Sequence, residues 1–182
     1  MRAHSFTIVA SGVDILDDAV MDRFFETGCD DATISFQKGL IVLEFQREAK
    51  TQLSALMSAI MAVRRAGAEV ERIEPDYLVS SSEIARRAGL VRAAVSLYSE
   101  GKRGEGFPRP VARVTSDSPL WDWVEVSAWM YRQGKISSLQ TVVEARMVRD
   151  LNREIILMRG RPHRALENAI KASSKGGATP LS

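Results

Sequence analysis

Up to Pro75 the apolar residues switch back and forth between a two-residue and a helical repeat, and this alternation restricts the fold more than any other feature of the chain. His4 to Ala10 sets Phe6, Ile8 and Ala10 against Ser5, Thr7 and Val9, the pattern of a strand, and Ser11-Gly12 punctuates it. From Asp14 to Thr27 the residues Leu16, Val20, Met21, Phe24 and Phe25 recur at helical spacing. Asp17 and Asp18 lie where the helix dipole favours acids, and Gly28 supplies the stop. Ala32 to Phe36 and Leu40 to Gln46 read as two strands joined by the hairpin turn Gln37-Lys38-Gly39. Residues 49 to 65 place Leu53, Leu56, Met57, Ile60 and Met61 on one helical stripe ahead of Gly67, and a last strand spans Val70 to Ile73.

The order strand, helix, strand, strand, helix, strand predicts the split βαβ arrangement of ferredoxin-like folds, with both helices on one face of a four-stranded antiparallel sheet. That architecture serves metal carriers, sensors, RNA binders and dimerisation units alike, so it does not assign a function. The charge is more informative once divided along the chain. Residues 1–79 hold eight Lys/Arg against thirteen Asp/Glu, a net of −5, whereas residues 80–182 hold seventeen against ten, a net of +7. The basic half suits a polyanion, and the acidic half argues against an RNA-binding sheet, which presents aromatics within a basic surface.

Several chemistries are not expected. The one cysteine, Cys29, forms neither an internal disulfide nor a cysteine-based zinc cluster. Cys29-Asp30-Asp31 reads as an acidic loop with a half-buried thiol rather than a metal site, because the only histidines are His4 and His163, and no base neighbours the thiol in sequence. Ser11-Gly12 reads as a turn, so no small-molecule ligand is anticipated there. With no phosphate loop and no metal-ligand spacing, neither an enzyme nor a cofactor is expected. No stretch approaches the roughly 18 apolar residues of a membrane span, and the N-terminus has no signal-peptide pattern, which predicts a cytoplasmic protein without membrane contact.

After Tyr77-Leu78-Val79, Ser80 and Glu83 form an S-x-x-E capping box that opens a helix at EIARRAG, closed by Gly89. A second helix follows from Val91 or Arg92 to Ser99, giving two short helices around a glycine-containing turn, the helix-turn-helix pattern. If Ile84, Ala85, Leu90, Val95 and Tyr98 lock the pair together, Arg92, Ala93, Ser96, Leu97 and Ser99 face outward. Arg92 can then reach guanine or phosphate, Ser96 either kind of partner, and Ala93 or Leu97 a thymine methyl. Ordinary core packing with a solvated arginine explains the helix pair equally well. Downstream, Gly101-Lys102-Arg103-Gly104-Glu105-Gly106 reads as a flexible basic loop. Phe107-Pro108-Arg109-Pro110 leads into a strand VARVT, Ser116-Asp117-Ser118-Pro119 turns, and Leu120-Trp121 returns, which together make a wing. Trp123 to Arg132 has helical spacing, and Trp121, Val126 and Trp129 can share one core under the wing.

On the pattern E-I-A-x-x-x-G, Val95, F-P-x-P and W-x4-V-x2-W, the stretch from Ser80 to Trp129 resembles the winged helix-turn-helix of phage excisionases, AlpA-like prophage regulators and the DNA-binding half of the MerR family. It covers about 50 of 182 residues. The whole chain is also similar to bacterial helix-turn-helix proteins that carry a split βαβ domain in front. The resemblance implies that the helix at 91–99 reads bases in the major groove through Arg92, Ser96 and Ser99. It implies also that the wing at 107–121 lies on the backbone, with Lys102, Arg103, Arg109 and Arg113 in that role. Two departures stand out: Val91 occupies the N-cap position where Ser or Thr is usual, and the loop before Phe107 is longer and richer in glycine.

Gly134 ends the preceding helix, and Ile136 to Met158 predicts another of about six turns. Its stripe of Val143, Met147, Leu151, Ile155 and Met158 is broadened by Val142, Val148 and Ile156. That width predicts packing on two partners, one of them the same helix of a second subunit or another protein; the alternative is that it folds back on its own domain. Arg146, Arg149, Arg153 and Arg159 are expected in solvent. Pro162 to Ala172 reads as a last short helix and Ser173 to Ser182 as a polar tail.

The expected organisation is therefore α+β: a ferredoxin-like domain at 1–76, a winged helix-turn-helix at 77–133, a C-terminal helical extension at 134–172 and a tail at 173–182. The expected function is a non-enzymatic double-stranded DNA-binding regulator or phage-type accessory factor. It would associate as a homodimer, or with a protein partner, through the C-terminal helix or the N-terminal domain. An antitoxin-like or adaptor module with weak DNA binding, and a ligand-sensing regulator, are the alternatives.

Overall fold

The first six elements follow in the expected order: β1 (Arg2–Ser11), α1 (Asp18–Glu26), β2 (Ala32–Gln37), β3 (Leu40–Ala49), α2 (Gln52–Arg65) and β4 (Glu69–Glu74). The computed structural model describes residues 1–159 except Ile15, so the helix expected at 162–172 and the tail lie outside the described residues. The sheet order is β2-β3-β1-β4, antiparallel throughout. Phe6, Ile8 and Ala10 of β1, Ile41, Leu43 and Phe45 of β3, and Val70 and Ile73 of β4 form one core with Val20 and Phe24 of α1 and Leu56, Ala59 and Val63 of α2. Both helices thus cover the same face of the sheet. On the opposite face Thr33, Glu44, Thr7 and Glu74 pair in one polar row across the four strands, and Val9 pairs with Val42 in the next.

Local chemistry fixes the element ends. Lys38 and Gly39 both adopt positive φ, 53° and 80°, between the paired Gln37 and Leu40. The turn is therefore a two-residue one, a residue shorter than expected, with the backbone twist that suits a hairpin. The Asp17 carboxylate accepts from the Ala19 amide at 3.0 Å and starts α1 at Asp18, which leaves Leu16 outside the helix and exposed. Thr51 and Ser54 cap α2 reciprocally.

The face of α2 differs from the expected stripe. Leu56 and Ile60 are buried, but Leu53, Met57 and Met61 are exposed, and Ala55, Ala59, Ala62 and Val63 take their places. Small side chains let the helix axis come close to the sheet, which leaves the larger residues at the margin. Phe25 of α1 is likewise exposed beside the buried Phe24.

A second core gathers around β5 (Leu78–Val79), α3 (Ser81–Ala88), α4 (Arg92–Ser99), β6 (Trp121–Asp122) and α5 (Trp123–Arg132). The strand expected at VARVT does not form. Ala112 and Leu120 make a single bridge, and β6 pairs instead with β5, ahead of the two helices. Pro108 and Pro110 have no amide to donate to a ladder, and Arg113, at a φ of 52°, turns the chain immediately after the bridge.

The last helix among the described residues, α6 (Leu139–Arg159), contributes Val148 and Ile155 to the first core and Ala145 to the second. Its buried positions are Ala145, Val148, Asn152 and Ile155. Of the expected stripe only Ile155 is fully buried; Met147 and Leu151 are half-buried, and Val143 and Met158 are exposed. The rotation follows from Asn152. Its side-chain amide donates to the Ile73 carbonyl at 2.9 Å, and its oxygen accepts from the Ile73 amide at 2.7 Å. It therefore acts as a strand partner for the free edge of β4, with both groups of the pair buried and satisfied.

This docking is the fold-back arrangement, and it also ties in two arginines expected in solvent. Arg149 pairs with Asp122 at 3.1 Å, and Arg159 with Glu71, the extra residue of a β-bulge in β4, while Arg146 and Arg153 are exposed. Among the described residues no helix is long and apolar enough to cross a membrane.

Candidate nucleic-acid interface

The helix pair is set by its caps. The Ser80 hydroxyl accepts from the Glu83 amide at 3.3 Å, and the Glu83 carboxylate accepts from the Ser80 amide at 3.2 Å, which completes the capping box. Gly89 takes the left-handed conformation, φ 66°, and the Leu90 amide donates back to the Ala85 carbonyl at 2.8 Å, so α3 stops and α4 begins within three residues. Val91, extended and exposed, gives α4 no side-chain cap. Ile84, Ala85, Val95 and Tyr98 lock the pair from inside, with Leu90 half-buried beside them.

The outer face of α4 is open. Arg92, Ala93, Leu97 and Ser99 are exposed and Ser96 is half-buried. Ser96 Oγ donates to the Arg92 carbonyl at 3.3 Å and Ser99 Oγ to the Ser96 carbonyl at 2.9 Å. Each hydroxyl proton is thus committed to the helix backbone, which leaves lone pairs to face outward. As presented, both serines are acceptors.

The glycine-rich segment after α4 is anchored, not free as expected. Gly101 turns left-handed, and the Lys102 and Arg103 amides both donate to the Leu97 carbonyl, at 2.9 and 3.1 Å. A Cβ on Gly104 would meet the Trp129 ring at 2.8 and 2.9 Å, and its φ is +70°, so only glycine fits there. The Trp129 indole donates to the Glu105 carbonyl at 3.0 Å and the Trp121 indole to the Pro108 carbonyl at 3.2 Å. Between them Phe107 stacks on Tyr98, with 5.9 Å between centroids, and meets Trp129 edge-on at 5.1 Å. The aromatic positions that suggested a core under the wing therefore hold the basic loop itself.

The cations that this scaffold carries are not equivalent. Lys102 is exposed and pairs with Glu100 at 2.7 Å; its hydrogen bond to that carboxylate raises the ammonium above the ordinary lysine value. Arg103 lies over the Tyr98 ring at 5.9 Å from its centroid. Arg92, Arg109 and Arg113 are exposed and make no ion pair with the described residues. Arg92, Ser96 and Ser99 share one helix face, and Lys102 and Arg103 continue from its C-terminal end. Arg109 and Arg113 sit on the loop after Phe107, with Arg113 just past the Ala112–Leu120 bridge.

Sequence reasoning passed over Arg87. It is anchored by Glu83 at 3.3 Å and lies 5.5 Å above the Trp123 ring, and burial lowers its pKa. The spacing of four between Glu83 and Arg87 was the available signal.

The two features of the acidic half considered for chemistry are occupied structurally. Cys29 is fully buried rather than half-buried, and burial pushes its thiol up. Asp31 pairs with Arg47 at 2.6 Å, and that hydrogen bond raises the guanidinium above its ordinary value. Ser11 donates its hydroxyl to Glu71 at 2.5 Å. Compared with protein-family models, with curated proteins and with solved structures, the chain matches none.

Proposed function

We propose that this chain is a double-stranded DNA-binding, non-enzymatic regulator or mobile-element accessory factor, built from a ferredoxin-like domain followed by a winged helix-turn-helix. The observation that carries the reading is the open outer face of α4, with Arg92 in its first turn and an anchored loop presenting Lys102 and Arg103 at its end. A helix of this kind presents its N-terminal residues to base edges, while the loop cations neutralise phosphates. Arg92 suits guanine. Ser96 and Ser99, with their protons turned to the helix, suit the exocyclic amino groups of adenine or cytosine. Arg109 and Arg113 serve as wing contacts to the backbone. The acidic first domain stays off the duplex. For association with a second copy or a protein partner, the surfaces open among the described residues include the outer side of α6 and the edge of β2.

The test is a titration of a labelled duplex pool by fluorescence anisotropy across a range of salt. The full chain is expected to bind with strong salt dependence. The Arg92→Ala, Lys102→Ala, Arg103→Ala triple variant is expected to bind more weakly, with the log-log slope flattened by about 0.9 for each phosphate that is no longer neutralised. Absence of binding at low salt, or a triple variant that binds as the parent does, overturns the reading.

A further inference from the structure

The four-stranded sheet has two edges, and the chain treats them differently. At β4 a bulge interrupts the strand, α6 lies along it, and the Asn152 side chain takes both main-chain groups of Ile73. Among the described residues β2 has none of these protections. Ala32–Gln37 contains no charged residue and no proline, pairs with β3 at every position without a bulge, and leaves Phe36 58% exposed. An edge of this kind is a template for another strand.

The register shows which main-chain groups of β2 face outward. The two-residue turn makes Gln37 and Leu40 a hydrogen-bonded pair, and the antiparallel alternation then turns Thr33 and Ser35 toward β3 and Ala32, Ile34 and Phe36 away from it. Two bonds at the start of the strand follow the same alternation. The Asp31 carbonyl accepts from the Gln46 amide of β3 at 3.1 Å, whereas the Ala32 amide turns away to the Cys29 carbonyl at 3.1 Å. Ala32 is therefore committed. The outward amides of Ile34 and Phe36 meet no loop or side chain among the described residues.

We propose that this edge pairs antiparallel with the same edge of a second copy, about a two-fold axis at Ser35, and joins the two sheets into one. Ile34 then stands opposite Phe36 of the second copy and exchanges both main-chain bonds with it, so that every free amide is used, twice over by symmetry. Neighbouring registers do not achieve this. An axis at Thr33 or Ile34 sets a free residue against Ala32, whose amide is committed, and an axis at Phe36 sets Ile34 against Lys38, which turns with a φ of 53°.

The side chains suit the same register. Ile34 and Phe36 lie on the helix-bearing face, where their β3 partners Leu43 and Ile41 are buried, so each Ile34–Phe36 pair extends the apolar core and covers the exposed ring. On the other face Ser35 meets Ser35, and Thr33 meets Gln37. At each end Lys38 of one copy lies diagonal to Asp30 of the other. Both residues are exposed and make no ion pair with the described residues, so the pairing brings opposite charges together twice. A second copy supplies this match of bonds, apolar surface and charge, and an arbitrary strand does not. The pairing does not depend on the DNA-binding reading. If that reading also holds, the dimer carries two copies of α4, as paired half-sites require.

The experiment is analytical ultracentrifugation of the full chain across the micromolar range without nucleic acid, with amide exchange followed by NMR at both ends of that range. The mass is expected to rise from one chain toward two with concentration, because a single short ladder buries less than a permanent interface does. Exchange at Ile34 and Phe36 should slow as the dimer fills, while exchange at Ala32 stays unchanged. Ser35→Lys sets two ammonium groups face to face at the axis and is expected to weaken association about fivefold, with the melting temperature of the dilute protein unchanged. Lys38→Glu and Asp30→Lys are each expected to weaken it about threefold, and the two together to restore it. A mass of one chain throughout overturns the proposal. So does a dimer that Ser35→Lys leaves unchanged, which forms through another surface such as the outer side of α6, or one in which Ile34 and Phe36 exchange at the monomer's rate. A double variant no tighter than the single ones overturns the register at Ser35. None of these outcomes bears on duplex affinity.

Discussion

Residues 2–74 and residues 78–132 are specified by different parts of the chain. In the first region the backbone dominates: β1 and β3, ten residues each, pair from Arg2↔Ala49 to Ala10↔Ile41, and the helices close over that ladder. In the second a short ladder joins Leu78–Val79 to Trp121–Asp122, a few main-chain bonds tie the loop at Leu97 and at Leu120, and side chains supply much of the rest. Two indole-to-carbonyl bonds and the contacts among Tyr98, Phe107, Trp121 and Trp129 hold residues 100–120, which have almost no regular structure. A region held by side chains can place a basic loop beside a helix end with little backbone pairing, and it depends heavily on a few large residues.

The strongest way to break that comparison is Trp129→Ala. Removing a buried aromatic costs about 3–5 kcal/mol, and here it also frees the Glu105 carbonyl and the wall against Gly104. All three tryptophans lie in the second region, so fluorescence of the remaining Trp121 and Trp123 is expected to report its loosening. Amide exchange in β1 and β3 should stay protected. Equal loss of protection in both regions would mean that α6 makes them one cooperative unit.

A smaller effect tests the link itself. Asn152→Leu leaves the Ile73 amide and carbonyl without their partner at a buried edge, at about 1–3 kcal/mol per unsatisfied group. Denaturant unfolding should show the loss, and exchange at Ile73 should accelerate first. Unchanged stability would show that apolar contacts alone dock α6. The smallest effect has the opposite sign. Val91→Ser supplies α4 with the cap it lacks and is expected to stabilise the second region by about 1 kcal/mol. A shift in the fluorescence-detected midpoint measures it, and no gain would mean that another group already serves the first turn of α4.

Much of the candidate site was legible because its signals are local. Ser80 and Glu83 lie three residues apart, Gly89 follows the last apolar position of α3, and the period of Trp123 to Arg132 gives the bounds of α5 as they stand in the structure. The basic loop was legible in composition but not in behaviour. Its glycines suggested freedom, yet Gly104 is there because the Trp129 ring closes on it from twenty-five residues away. The wing strand was over-read: alternating residues at VARVT have the right period, but their neighbours Pro108 and Pro110 and the turn at Arg113 leave one bridge.

By itself the sequence determined the helices and strands of the first six elements and their order, because caps, turns and hydrophobic period act within a few residues of one another. It did not determine which face each helix buries. On α2 the alanines face the sheet and the larger Leu53, Met57 and Met61 do not, since burial depends on how closely a neighbour can approach. On α6 the buried face is set by a polar residue, Asn152, whose partner Ile73 lies 79 positions earlier. A hydrogen bond across that separation leaves no periodic trace in the chain, and only the tertiary structure could bring Asn152 to the edge of β4.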